Sequence, residues 1–238
     1  MLTKVILLFL VLTVGQILAS SSYIEDGKRA KLFEIMDNEI PTFKITISDD
    51  KLVLLKQSMQ TQKLNMTEVA LGINSSGNPI EFEKVKDATL VVEINDTKKE
   101  FNKVTFDIGG SSARTYGRQG FNIKIRDSNK DLYGRTDFRI RSDPRDATYL
   151  RSKLCCDMLN RLGIPSISAN YVKLYVNEEY FGFYIIMDAP KIPWIEQVFG
   201  EKDTKNLYKC KEGGNYLSLK ISLDRCENED DKYTDRTE

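Results

Sequence analysis

Phe121-Asn-Ile-Lys-Ile-Arg-Asp-Ser-Asn-Lys-Asp-Leu-Tyr-Gly-Arg-Thr-Asp-Phe-Arg-Ile-Arg141 alternates apolar with polar residues from Phe121 to Arg126 and again from Phe138 to Arg141. A period of two marks a half-buried strand, so Phe121, Ile123 and Ile125 are expected to face a core and Asn122, Lys124 and Arg126 the opposite side. Phe138 and Ile140 repeat the inward positions, with Arg139 and Arg141 pointing out. Asn129 and Gly134 supply the turn between them. Pairing through that turn brings Lys124, Arg126, Arg139 and Arg141 onto one sheet face, where like charges repel unless water or an anion compensates. Such a face is either a solvated outer surface or a cleft that receives phosphate.

Upstream, Gly109-Gly-Ser-Ser-Ala-Arg-Thr-Tyr-Gly-Arg-Gln-Gly120 joins the strand Val104 to Ile108 to the basic strand. Its spacing matches neither a Walker loop nor the dinucleotide fingerprint, which leaves a hairpin connection or a phosphate cradle. Downstream, Asp143-Pro144 reads as a helix start, with Asp as N-cap and Pro at the first helical position. Ala147, Leu150, Leu154, Met158 and Leu162 then form one apolar stripe of the kind that faces a core, and Gly163 and Pro165 end it. Tyr171 to Val176 and Tyr180 to Met187 are two strands of a hairpin around Asn177-Glu-Glu179, followed by Asp188-Ala-Pro190 and a short helix from Trp194 to Phe199. Nearer the N-terminus lie a strand at Phe43 to Ile47, a helix from Ser48 to about Lys63, a loop at Asn65 to Pro79 and a strand at Ala88 to Ile94. This order is α+β.

The 238 residues carry 35 basic and 35 acidic side chains, four cysteines and no histidine. Without an imidazole there is no Ser-His-Asp or Cys-His pair and no His-ligated zinc, which removes most hydrolase and zinc-finger readings. The zero net charge conceals two opposed segments. Arg114 to Lys153 holds eleven basic and five acidic residues, whereas Asp224 to Glu238 holds seven acidic and three basic. The middle therefore favours an anionic partner and the tail does not.

Lys4, the uncharged apolar run Val5 to Leu18 and the small residues Ala19-Ser20-Ser21 have the pattern of a secretory signal over residues 1–21. Cleavage there is expected to leave a secreted or cell-surface protein with no transmembrane segment. Sequons at Asn65, Asn74 and Asn95 agree with export. In an oxidising compartment Cys210 and Cys226 suit closure of a hairpin-sized loop, while the vicinal Cys155 and Cys156 suit buried packing.

The basic strand Phe121-Asn-Ile-Lys-Ile125, the Leu132-Tyr-Gly134 turn, Asp143-Pro144 with Leu150-Arg151, and the hairpin Leu174-Tyr-Val-Asn177 to Tyr180-Phe-Gly-Phe-Tyr184 leading to Asp188 together resemble the spore-coat CotH-like family of atypical protein kinases. The resemblance implies a kinase-like small-lobe sheet with packed helices and an incomplete second lobe. The resemblance covers residues 85–226, so the chain is expected to divide into the signal at 1–21, a strand and helix lead-in at 22–84, the CotH-like region at 85–226 and a disordered acidic tail at 227–238. It implies binding of ATP with Mg, with Lys124 neutralising phosphate, Arg126, Arg139 and Arg151 as further phosphate-side cations, and Asp188 as the acidic residue at the junction between lobes. The family's Asp-Phe-Asp segment has no counterpart here, so the expected function is the N-terminal part of a secreted protein phosphotransferase, not competent alone. The alternative is a non-catalytic adhesion or interaction module. A protein substrate, a cell-surface partner or self-association fits these readings, and nucleic acid does not.

Overall fold

The structure is a computed structural model that describes residues 29–61, 82–110, 118–202, 204–205, 207–210 and 226–228. The readings placed on the N-terminal signal, on Asn65 and Asn74, on the middle of the glycine-rich loop and on residues 229–238 lie outside the described residues.

The strands β1 (Thr42–Thr46), β2 (Val85–Ile94), β3 (Thr97–Gly109), β4 (Gly120–Ile125), β5 (Asp137–Arg141), β6 (Ala169–Val176) and β7 (Glu179–Asp188) close into a barrel in the order β1-β2-β3-β4-β5-β7-β6. The mixture of helix and strand is as expected, and the sheet closes on itself. The reason lies in β1, which pairs antiparallel with β2 and parallel with β6, covering two edges that would otherwise expose unpaired backbone. Part of the segment set apart as a lead-in is thus a stave of the barrel.

Alternation along β4 and β5 is as the sequence reads: Phe121, Ile123, Ile125, Phe138 and Ile140 are all buried. They meet Phe43, Leu90, Phe106, Leu174, Tyr184 and Ile186 in one core, where the Phe106 and Phe121 rings stack at 5.0 Å. Two-residue turns join β2 to β3 and β6 to β7. Both need positive φ at both central positions, which Asn95 (47°) with Asp96 (55°) and Asn177 (47°) with Glu178 (65°) provide. The Asn177 carboxamide also accepts from Ile47 N at 2.8 Å and donates to Ile47 O at 2.8 Å, fastening the hairpin to the chain just after β1.

Helices α1 (Lys31–Met36) and α2 (Asp49–Thr61) insert Leu32, Phe33, Met36 and Leu55 into the barrel core. Helix α3 (Arg151–Arg161) lies outside β6 and β7, over a smaller cluster of Cys156, Ala169 and Ile185 with Tyr149, Ile167, Tyr171 and Met187 against it. Helix α4 (Ile192–Phe199) follows β7 and ends at Gly200 with φ 75°. Among the described residues no helix is long and apolar enough to cross a membrane.

Two expectations for α3 are corrected. The helix does not start at Asp143-Pro144: residues 143–150 form turns, and Asp143 has φ 39°, outside helical values. The carboxylate that caps the helix is Asp146, whose Oδ2 accepts from Arg151 N at 2.8 Å while its Oδ1 accepts from Thr148 Oγ1 at 2.6 Å. Nor does the apolar stripe face the sheet. Leu150 (54%), Leu154 (51%) and Leu162 (71%) are exposed, as is Met158. Cys156 and Asn160 occupy the sheet side instead, with Asn160 Nδ2 donating to Cys156 O at 2.8 Å and Ile167 O at 3.3 Å. Periodicity reveals that a helix has an apolar side; it does not say where the sheet lies.

Candidate functional site

The registers of β3, β4 and β5 place Asp107 opposite Asn122, Thr105 and Asp137 opposite Lys124, and Arg139 opposite Asn122. Directly opposed residues share a face, so these side chains and Arg141 all lie on the outside of the barrel. Arg139 and Arg141 are in turn opposite Met187 and Ile185 of β7, two residues of the cluster beneath α3. The basic surface therefore adjoins the helix on the same side of the sheet.

Arg141 is held by three hydrogen bonds. Its Nη1 donates to Phe121 O at 2.9 Å and Ile140 O at 3.0 Å, and its Nη2 to Asn122 Oδ1 at 3.0 Å. Burial pushes its guanidinium down to about 10, the positive charge of Arg139 pushes the same way, and Asp143 opposes them. Two arginines are thus near enough to repel, on a face shared with Lys124.

The glycine-rich connection is anchored beside this face. Gly109 and Gly120 pair at its base. A Cβ on Gly109 would lie 2.5 Å from Asn122 Oδ1, and one on Gly120 would lie 2.8 Å from Ile140 O. These glycines are needed for close packing against β4 and β5. On the return limb, the Arg118 guanidinium sits 4.6 Å over the Tyr184 ring and donates to Tyr149 Oη and Phe183 O. Gly182 leaves room for it: its φ is 135°, and a Cβ there would come within 2.6 Å of Arg118 Nη2.

The other residues singled out from sequence are not gathered at this face in the same way. Arg126 follows the last residue of β4 and is exposed, with its N–H donating to Lys103 O at 2.7 Å. Arg151 is exposed at the start of α3. Asp188 lies opposite Phe138, hence on the interior side of the sheet and away from Lys124. There it is buried against Arg135, whose Nε donates to both carboxylate oxygens at 2.9 Å. Burial pushes the Asp188 carboxyl up to about 6, while the charge and hydrogen bond of Arg135 and the Ala189 N–H pull it down. Arg135 also donates to Gly134 O, Pro193 O and Gln197 Oε1, tying the β4–β5 turn to α4. A cavity of about 480 Å³ beside this pair is lined by Asp131, Gly134, Thr136, Pro193, Glu196 and Gln197, none of them a residue of the basic face.

Arg118, Arg135 and Asp146 carry much of this architecture and were not identified from sequence. Gly182 between two phenylalanines was an available signal for Arg118, since a glycine inside a strand marks a close approach. Asp146 followed by Thr148 offered the same kind of signal for the true cap. Nothing local distinguishes Arg135 from its basic neighbours.

The basic face has donors suited to phosphate oxygens. Among the described residues no group of three or more carboxylate or thiol side chains is placed to hold a metal ion. Two carboxylates, Asp107 opposite Asn122 and Asp137 opposite Lys124, stand among the cations of this face.

A family model described as CotH kinase protein matches residues 106–238. Two proteins of Rhizopus delemar are similar to the chain. One, named invasin CotH2, is 24% identical over 176 residues, which cover 73% of this chain and 25% of that protein. The other, named spore coat protein homolog 1, is 34% identical over 74 residues, covering 31% of this chain and 12% of that protein. The chain thus spans a quarter or less of the length of the curated relatives it matches. With more than half of its residues matched by the family model, from β3 onward, the chain belongs to the CotH kinase protein family.

Proposed function

We propose that the outer face of β4 and β5 binds the phosphates of ATP, delivered as its magnesium complex, in a protein phosphotransferase of the CotH type. The observation that carries this reading is the repelling pair Arg139 and Arg141 on the face shared with Lys124, beside the glycine-rich hairpin. A cation cluster of this kind is stabilised by an anion with several oxygens, and family membership makes a nucleoside triphosphate the expected one. Lys124 and Arg139 contact phosphate in this proposal. Arg141 is a positioning residue that orients Asn122, and Arg126 and Arg151 extend the positive field at the rim. Asp188 acts with Arg135 to set the exit of β7 toward α4. Export to the cell surface is proposed with it, supported by the apolar N-terminal stretch and by the name of the relative called an invasin. Asn65, Asn74 and Asn95 are then glycan acceptors, and Asn95 is exposed at the tip of the β2–β3 turn.

Titration of the purified chain with ATP, with and without magnesium, tests the nucleotide reading. Saturable binding that is lost in Lys124→Ala and in Arg139→Ala supports it. Absence of binding by the parent chain refutes it.

The exposed row Leu150, Leu154, Met158 and Leu162 favours a second reading, a surface module that binds a protein partner or itself without catalysis. Light scattering decides on self-association: a monomer that phosphorylates a protein acceptor argues against this alternative.

A further inference from the structure

The strands β8 (Tyr208–Cys210) and β9 (Cys226–Asn228) form a sheet of their own, antiparallel, with Tyr208 opposite Asn228, Lys209 opposite Glu227 and Cys210 opposite Cys226. Among the described residues they pair with no other strand. Two strands this short, joined by the connection 211–225, are not expected to hold together on backbone hydrogen bonds alone. Bringing together the ends of a connection of that length opposes the pairing further, through the entropy of loop closure. Something beyond the ladder must hold the ends.

We infer that Cys210 and Cys226, which face each other across this two-stranded sheet, are joined by a disulfide that staples it. Directly opposed Cα atoms of antiparallel strands lie about 4.5–5.5 Å apart, inside the range that a disulfide spans without moving the backbone. The two remaining cysteines are adjacent in α3, and both are free thiols, one exposed and one buried. Burial pushes the Cys156 thiol up to about 11, so it is a poor competitor for exchange. Formation is a two-electron exchange with an oxidised thiol–disulfide oxidoreductase or a low-molecular-weight disulfide. The two thiols release two protons, one S–S bond forms between Cys210 and Cys226, and the S–S bond of the oxidant becomes two thiols. The apolar N-terminal stretch agrees with passage through a compartment where such oxidants are present. This inference stands apart from nucleotide binding, since the pair lies on neither the basic face nor the barrel.

The test uses the full chain produced by export from a eukaryotic host. Thiols are alkylated in denaturant without reductant, then again with a second label after reduction, and the chain is cut with trypsin and read by mass spectrometry. The expected result is first-label modification of Cys155 and Cys156 only, with a cross-linked Cys210–Cys226 peptide pair that disappears on reduction. First-label modification of all four cysteines overturns the inference. So does linkage of either residue to Cys155, to Cys156 or to another molecule. A second measurement on the native protein follows proteolysis at Lys211, Lys220 and Arg225 before and after treatment with a phosphine reductant. Cleavage is expected to speed up by about tenfold or more on reduction, as a local opening loses its constraint. An unchanged rate would mean that no staple holds the hairpin. Cys226→Ser reproduces the reduced behaviour, and because the phosphine arm needs no variant, a failure of that variant to fold leaves the question decidable.

Discussion

Arg135 Nε donates to both carboxylate oxygens of Asp188 at 2.9 Å, in a pair whose side chains are 5% and 1% exposed. Removing one partner leaves the other charge buried without compensation. Asp188→Ala is therefore expected to lower the unfolding free energy by about 3–5 kcal/mol, with Arg135→Ala similar and the double replacement less damaging than the sum of the two. Denaturant titration of the four proteins forms the double-mutant cycle; additive losses would show that the pair is not coupled.

The same carboxylate makes stability depend on pH. Its folded value of about 6 lies above the ordinary 3.8 because burial disfavours the charge. Between these values the folded chain holds the proton more tightly than the unfolded chain does. The contribution of Asp188 to stability is thus fully present below about 4, declines as pH rises toward 6, and levels off above that. Asp188→Asn removes this slope. Comparing parent and variant by thermal unfolding from pH 4 to 7 checks it; an opposite slope in the parent would mean that the charge of Arg135 outweighs burial.

Gly182 makes room for Arg118, and its φ of 135° is one that side-chain-bearing residues rarely adopt. Gly182→Ala is expected to cost about 1–3 kcal/mol through backbone strain and displacement of the guanidinium. Adding Arg118→Ala relieves the displacement part only, so the two changes combine less than additively when followed by circular dichroism during denaturation.

Asp146, not Asp143, caps α3. Asp146→Ala is expected to cost about 1–2 kcal/mol of stability. Asp143→Ala costs less, because its carboxylate accepts only from Ser152 Oγ among the hydrogen bonds described for it. Equal losses would contradict the assignment.

Leu154→Gln and Leu162→Gln are expected to change stability by less than about 0.5 kcal/mol, since both side chains are more than half exposed. Ile185→Ala, in the small cluster beneath the helix, is expected to cost about 2–5 kcal/mol. A large loss from the leucines would place them in a packed interface.

How far the sequence speaks can be judged at single residues. The inward positions of Phe121, Ile123, Phe138 and Ile140 were legible because alternation is a property of the strand itself: a residue and its second neighbour share a face whatever the strand pairs with. Asn177 was legible in the same way, since a two-residue turn demands a residue that tolerates positive φ. The shared outward face of Lys124, Arg139 and Arg141 follows from the same alternation once β4 and β5 pair through their short turn. The partner of Asp188, the clasp around Arg118 and the outward side of the leucine row were not legible. Each depends on contacts between segments far apart in the chain, and local pattern carries no information about those.

Membership of the fold class, the strands, their inward faces and the basic surface were settled by the order of the amino acids, because short-range sterics and side-chain periodicity act within a few residues. Closure of the barrel by β1 against β6, the direction in which α3 turns its apolar row, and the burial of Asp188 with Arg135 were settled only when distant segments met. There the cost of leaving an edge or a charge unpaired selects one arrangement among several that the same local pattern allows.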